Sequence, residues 1–243
     1  VSASTCERFD PSSNTFSAAP ALPATSVYHL QGLHMFRDGN RVVIGPSDQW
    51  PWPMVLDLTT GLWAAGATGD GYHPQQGATM ITGGRLVVFG VDRYVRIYDV
   101  TSNTWSDAMG PVGIGRTQMP VFAAGDEVVA VGGYNATVGH LGSVSRFNVN
   151  TGVVEDGDNL PLEGLEGFAT AMNTGEVLFG GGVDNVQGET TRVQAYDPAT
   201  QHVREMRSMP ETQRLSTAHT LDDGRVLVVG GRNQGTALAL GSL

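Results

Sequence analysis

Apolar residues in this chain do not follow a helical period. They gather into five short runs, rich in β-branched residues, that each end at glycine. The runs occupy residues 41–45, 85–90, 127–133, 176–182 and 225–231, the last reading Arg225-Val226-Leu227-Val228-Val229-Gly230-Gly231. A run of this length without polar alternation is a strand covered on both faces, and its terminal glycine permits a sharp exit or a close backbone approach. Five copies predict five equivalent buried strands.

A second pattern interleaves with the first: an apolar residue, then Asp or Asn, then a polar turn, then an aromatic residue or Val six positions after the acid. Asp10 leads to Phe16, Asp57 to Trp63, Asp99 to Trp105, Asn148 to Val154 and Asp197 to Val203. Turn formers fill each interval, as in Asp197-Pro198-Ala199-Thr200, so each unit predicts a hairpin closed by a tight polar loop. Successive acids stand 47, 42, 49 and 49 residues apart.

Four short strands and a glycine doublet at this period resemble the kelch repeat of bacterial kelch and galactose-oxidase-like propellers, about 50 residues per blade. The likeness covers nearly the whole chain and is clearest at 214–231 and at Tyr196-Asp197-Pro198-Ala199-Thr200. The first repeat departs from it, since Pro46 breaks the doublet after Gly45 and Leu56 replaces the usual aromatic. The resemblance implies one all-β domain over residues 1–243, a kelch-type β-propeller of five four-stranded blades. With strands named a to d from the channel outward, c and d fall in 5–16. Full cycles follow in 27–64, 72–106, 116–155 and 166–204, and a last a–b pair in 214–230. The two leftover halves are complementary, so the N-terminal strands are expected to close the last blade, and a closed ring is expected to be monomeric. The C-terminal Leu240-Gly241-Ser242-Leu243 resembles Leu141-Gly142-Ser143-Val144, which leads into a third strand.

Composition narrows the chemistry. A formal charge of −10 and a pI near 4.9 argue against a nucleic-acid partner, which would need clustered basic residues. All 14 basic residues are arginine, so Schiff-base, P-loop and general-base lysines are absent. No apolar run approaches the roughly 20 residues that cross a bilayer, and no membrane association is expected. Cys6 is the only cysteine, which precludes an internal disulfide and reads as a packing residue. Residues 1–10 have neither an initiator Met nor an apolar signal core, as in a processed or excised chain. No nucleotide-binding or hydrolase motif is present, and no cofactor is expected.

In a propeller the d-to-a and b-to-c connections share one rim, and the resemblance places candidate ligand-binding residues there. Tyr28, His29, His73, Arg116, Glu166 and Arg214 belong to the first kind of connection. Trp50, Trp52, Arg93, Tyr94, Tyr134 and Arg232 belong to the second. Trp50 and Trp52, stiffened by Pro51 and Pro53, would either form a stacking platform or fold down as a lid on the first blade. Arg116 and Arg214 stand ten residues before their a–b turns. They would either aim guanidinium forks at a ligand anion or pair inward with Glu163, Glu166 or a carbonyl. His29, His73 and Glu166 lack the short spacing of a metal site and read as hydrogen-bonded residues, so no metal is expected. Copper radical oxidases of the galactose-oxidase type need a cysteine near the channel, whereas Cys6 is expected on an outer strand, which disfavours that subfamily.

The leading reading is a binding module that recognises a protein segment or a small polar ligand such as a carbohydrate at the rim and channel mouth, with no catalytic residue. One alternative is a lyase, isomerase or epimerase using His29, His73, Arg116, Glu166 and Arg214. The other is a fragment of a larger propeller with a purely structural role.

Overall fold

The computed structural model describes residues 6–10, 12–13, 15–22, 35–45, 52–69, 77–81, 83–90, 92–107, 109–111, 113–159, 164, 166–184, 188–238 and 241–242. These residues form antiparallel strands throughout, with no helix among them. An N-terminal hairpin, β1 (Cys6–Asp10) and β2 (Thr15–Ala19), comes first. Sheet I follows with β3 (Met35–Asp38), β4 (Arg41–Ile44), β5 (Met54–Asp57) and β6 (Leu62–Ala65). Sheet II has β7 (Gly77–Ile81), β8 (Arg85–Phe89), β9 (Val95–Asp99) and β10 (Thr104–Trp105).

Sheet III comprises β11 (Val121–Ala124), β12 (Glu127–Val131), β15 (Ser143–Asn148) and β16 (Val154–Asn159); its second-to-third connection carries a small hairpin, β13 (Tyr134–Asn135) and β14 (Gly139–His140). Sheet IV repeats this with β17 (Phe168–Ala171), β18 (Val177–Gly180), the small hairpin β19 (Val183–Asp184) and β20 (Gly188–Glu189), then β21 (Val193–Asp197) and β22 (His202–Glu205). Sheet V has three strands, β23 (Thr217–Thr220), β24 (Val226–Val229) and β27 (Gly241–Ser242), with the small hairpin β25 (Arg232–Asn233) and β26 (Thr236–Ala237) between the last two.

The second strands of sheets I to IV are buried, as the apolar runs require, whereas in sheet V only Val228 of β24 is buried and Val229 is exposed, so the five runs are not equivalent. Val43, Leu86, Val87, Val128, Val129, Ala130 and Val177 lose all solvent contact. Apolar clusters then join the sheets strictly in sequence, I to II, II to III, III to IV and IV to V, because alternate residues of each strand face opposite neighbours. A fifth cluster joins the N-terminal hairpin to sheet I through Cys6, Leu22, Ile44 and Met54.

Glycine doublets have a specific job here. The first glycine, Gly132 at φ +60°, backs onto the Gly164 carbonyl of the next sheet's entry, and the second, Gly133 at φ +96°, onto the Thr117 carbonyl of its own. A side chain at either would collide with backbone.

The recurrent acid caps the hairpin between third and fourth strands. Asp57 Oδ1 accepts from the amides of Thr59 and Thr60 at 2.7 and 2.9 Å, Asp99 Oδ1 from Thr101 and Ser102 at 2.8 Å each, and Asn148 Oδ1 from Asn150 and Thr151 at 3.0 Å each. Four residues after the acid the chain turns left-handed, at Gly61, Asn103, Gly152 and Gln201. Backbone amides hold the carboxyls of Asp57 and Asp99 below the usual aspartate value, and bonds to Ser12 and Thr200 do so for Asp10 and Asp197. A carboxyl whose folded pKa is depressed stabilises the fold fully above its unfolded value, about 3.9, and that contribution is lost as pH falls through the folded value. Acid unfolding is therefore expected to begin below about pH 4. Asp99→Ala should lower the neutral-pH melting temperature by about 2–4 °C and Asp99→Asn by much less, since an amide oxygen keeps both bonds; equal losses would show that the charge, not the acceptor, matters.

Two expectations are corrected. Sheet V is not completed by the N-terminal strands: β24 pairs with β27, Val229 opposite Gly241 and Val228 opposite Ser242, so its edge is already taken. Val144 stands opposite Val131 in sheet III, so the structural match to Val144 is Gly241, two residues off the alignment by sequence similarity. Arg116 and Arg214 are not equivalent either. Thr117 bridges Tyr134, and Arg214 bridges Arg232, at the same place in their sheets. Ala124 pairs with Glu127 across a turn of two residues, Gly125 and Asp126, whereas Leu221 N donates to Arg225 O across three, 222–224, and counting back from turns of unequal length slips the alignment by one. The counterpart of Arg116 is Gln213.

Candidate functional site

The residues preceding the first strands of sheets III, IV and V run side by side. Gln118, Glu166 and Leu215 occupy matching positions, each with φ between +55° and +60°. Glu166 N donates to Gln118 O at 3.1 Å, and Leu215 N donates to Glu166 O at 2.8 Å, so these residues form a continuous backbone ladder across three sheets. A left-handed conformation costs a residue with a side chain about 1–2 kcal/mol, and such strain gathers where a fold must hold functional groups in a set place.

On this ladder the side chains converge. Gln118 Nε2 donates to Glu166 Oε1 at 3.2 Å, and Arg214 Nη1 donates to Glu166 Oε2 at 2.7 Å. Arg214 Nε lies 3.1 Å from Glu189 Oε1 but off the line that a hydrogen bond needs. Glu189 Oε2 accepts from the amide of Gln234 at 2.6 Å and from the Thr212 hydroxyl at 3.2 Å. Gln234, at φ +47°, is another side-chain-bearing residue in the left-handed region. Arg214 is thus held between two carboxylates from the neighbouring sheet, and the pair outweighs it by one negative charge. Glu166 and Glu189 are largely buried while Arg214 stays about a quarter exposed, so the guanidinium is the part of the cluster that solvent reaches.

Arg116 does something else. Its side chain is 2% exposed. Nη1 donates to the carbonyls of Gly132 and Ser143 at 3.1 and 2.7 Å, and Nη2 to the hydroxyls of Ser143 and Ser145, both at 3.0 Å. Ser145 in turn donates to Asp156 at 2.9 Å. Burial pushes the guanidinium down to about 10, with Asp156 opposing the shift, so it remains charged at neutral pH. The fork ties the second, third and fourth strands of sheet III to their entry segment. Of the two arrangements open to these arginines, both are inward: Arg116 on carbonyls and Arg214 on Glu166.

The remaining candidates are spread out. Tyr134 is partly exposed and meets His140 edge-on, with ring centroids 6.0 Å apart. Arg93 is exposed at φ +73°, and beside it Tyr94 lies under the Arg96 guanidinium, 5.9 Å from the ring centroid. Arg232 is exposed and reaches Arg214 through its backbone. Trp52 packs against the cluster of Leu22, Ile44 and Met54, which is the folded-down arrangement. Tyr28, His29, Trp50, His73 and Glu163 lie outside the described residues. Among the described residues no three His, Cys, Asp or Glu side chains gather as metal ligands would, and no helix is long and apolar enough to cross a membrane.

Sequence reasoning found Glu166 and Arg214 but passed over Gln118, Glu189, Thr212 and Gln234. Glu189 sits in a second-to-third-strand connection, a position that pointed to the rim. Nothing in the sequence marks the left-handed backbone of Gln118 or Gln234.

The class of protein is therefore an all-β chain of sequentially stacked antiparallel sheets with a charged cluster at one set of strand entries. No family model and no curated protein matches it. Its fold is similar to a solved structure, that of YjhT, with a TM-score of 0.72 over 93% of this chain and 84% of that one at 12% identity. A likeness at that identity bears on the fold alone.

Proposed function

We propose that the chain is a kelch-type propeller acting as a binding module, and that Arg214 with Glu166, Glu189, Gln118 and Gln234 forms the mouth that receives its ligand. The observation that carries this is the ladder of left-handed Gln118, Glu166 and Leu215, beside which two carboxylates of sheet IV, one of them bonded to Gln118, flank one partly exposed guanidinium of sheet V. The fold bears the cost of that backbone in return for a preset cluster. Two carboxylates around one arginine disfavour an anionic ligand and favour a neutral, hydroxyl-rich one that accepts from Arg214 and donates to the carboxylates; a carbohydrate has that chemistry. A protein segment is the second kind of ligand the rim would take, through the exposed Tyr94, Tyr134 and Arg232.

Calorimetric titration with a panel of neutral mono- and disaccharides and proline-rich peptides tests the reading. Arg214→Met and Glu166→Gln should each weaken the bound saccharide at least about tenfold, the scale of one charge-assisted hydrogen bond. Tyr94→Ala should leave it unchanged. Binding that depends on Tyr94 and ignores Arg214 would move the function to the outer rim. Turnover of the saccharide, abolished by Glu166→Gln, would make the protein an enzyme that uses Glu166 as acid or base.

A further inference from the structure

The three small hairpins share one register. Tyr134 pairs with His140, Val183 with Glu189 and Arg232 with Ala237. The residue after each partner, Leu141, Thr190 or Leu238, donates its amide to the carbonyl of the glycine that closes the apolar run. In the first two hairpins the intervening loop is also of equal length, 136–138 and 185–187. His140 therefore holds in sheet III the place that Glu189 holds in sheet IV. Glu189 reaches beyond its own sheet, to Arg214 and to the amide of Gln234 in sheet V. His140 stands correspondingly at the entry of sheet IV, where Gly164 N donates to the carbonyl of the adjoining Leu141 at 3.2 Å, two residues before Glu166.

Tyr134 shares that face, because residues opposite each other in an antiparallel pair point the same way. Its ring meets His140 edge-on and stays 38% exposed. Thr117 and Tyr134 exchange backbone bonds of 2.9 Å. Tyr134 thus flanks the Gln118 end of the mouth ladder as Arg232, bridged to Arg214, flanks the Leu215 end. The hairpin is fixed in advance: Asn135 Nδ2 donates to the carbonyl of Gly115 at 2.7 Å, and Asn135 Oδ1 accepts from the amides of Thr137 and Val138 at 2.9 and 3.1 Å. An aromatic wall held this way loses little freedom on receiving a ligand. His140 Nδ1 is buried and finds no partner among the described residues. Packing on Tyr134 rather than a hydrogen bond therefore sets the imidazole, leaving Nε2 as the ring atom that can bond a ligand.

We propose, resting on the saccharide reading of the Arg214 cluster, that a second subsite built by Tyr134 and His140 takes a further sugar ring, so that the ligand is a disaccharide or a longer neutral glycan. The first ring bonds to Arg214 and its carboxylates. The next lays its C–H face on the electron-rich face of Tyr134 and meets His140 Nε2 with a hydroxyl. Two ladder steps, Gln118 to Glu166 and Glu166 to Leu215, separate the subsites. At the ordinary spacing of hydrogen-bonded chains that is about 10 Å, the reach of two linked rings.

Calorimetric titration with matched sugars tests this: glucose with cellobiose and maltose, galactose with lactose, and N-acetylglucosamine with diacetylchitobiose. The quantity read is the ratio of disaccharide to monosaccharide affinity. For the best pair it should reach about tenfold, the scale of one stacked ring. Tyr134→Ala should abolish that preference and Tyr134→Trp should keep it, which a merely structural role would not produce. His140→Phe, which keeps an edge against Tyr134 but removes Nε2, should lower the ratio about fivefold. In proton spectra the ring current of Tyr134 should move C–H signals of one sugar ring of the disaccharide upfield, a shift that Tyr134→Ala removes. Equal affinities for both members of every pair, or a preference that survives Tyr134→Ala while Arg214→Met weakens both sugars, would overturn the second subsite and leave the first standing. Absence of binding by every sugar, or binding that ignores Arg214→Met, would overturn the saccharide reading itself and the subsite with it.

Discussion

Arg116→Met is expected to lower the unfolding free energy by about 3 kcal/mol, because it removes the whole donor fork from a buried site and keeps only the apolar stem. The Gly132 carbonyl and the hydroxyls of Ser143 and Ser145 lose a charged donor that water cannot readily replace. In a chain of this length that corresponds to a melting temperature lower by about 6–12 °C. Arg214→Met should show the opposite profile, with weaker saccharide binding and a melting temperature within about 2 °C, since the Arg214 guanidinium, unlike that of Arg116, is about a quarter exposed and water can take its place beside Glu166. Thermal unfolding and calorimetry on both variants check this. Matched losses of stability would mean that the mouth cluster is as structural as the Arg116 network.

Gly132→Ala is expected to cost about 3 kcal/mol, from a left-handed backbone and a displaced hydrogen bond together. The added Cβ would stand 2.6 Å from the Gly164 carbonyl oxygen, which accepts from Gly133 N at 2.7 Å. Gly125 supplies the control: its φ is +61°, but nothing lies within 4 Å of a Cβ there, so Gly125→Ala should cost only about 1 kcal/mol. Denaturant unfolding separates the two contributions, and equal costs would refute the close-approach account of the doublets. Gly132 also receives the Arg116 fork, so the Arg116→Met, Gly132→Ala double variant should lose less than the sum of the singles.

Much of this architecture was legible before any coordinates. The apolar runs named the buried strands because side-chain burial on both faces leaves no room for polar alternation, and the Asp-to-aromatic interval named the hairpins because an Asx-capped turn is made by residues two and three positions apart. Glu166 and Arg214 are named by the sequence for lying on connections that lead into first strands. Their partners are not, since the Glu189 carboxylate reaches Arg214 and Gln234 only after a neighbouring sheet has stacked.

What the residues determined by themselves was everything within about six positions of each other: strand, turn, cap and the glycine that ends each run. The tertiary structure alone decided that Arg116 is a structural clamp on the carbonyls of Gly132 and Ser143 while Arg214 lies against Glu166 and Glu189, because one residue fewer in the β11–β12 turn puts the two arginines at different places in their sheets. It also decided that β27 rather than β1 completes the edge of β24. Local hydrogen bonds are set by near neighbours along the chain, whereas the pairing of an edge and the convergence of side chains from three sheets depend on how whole sheets pack and twist against one another.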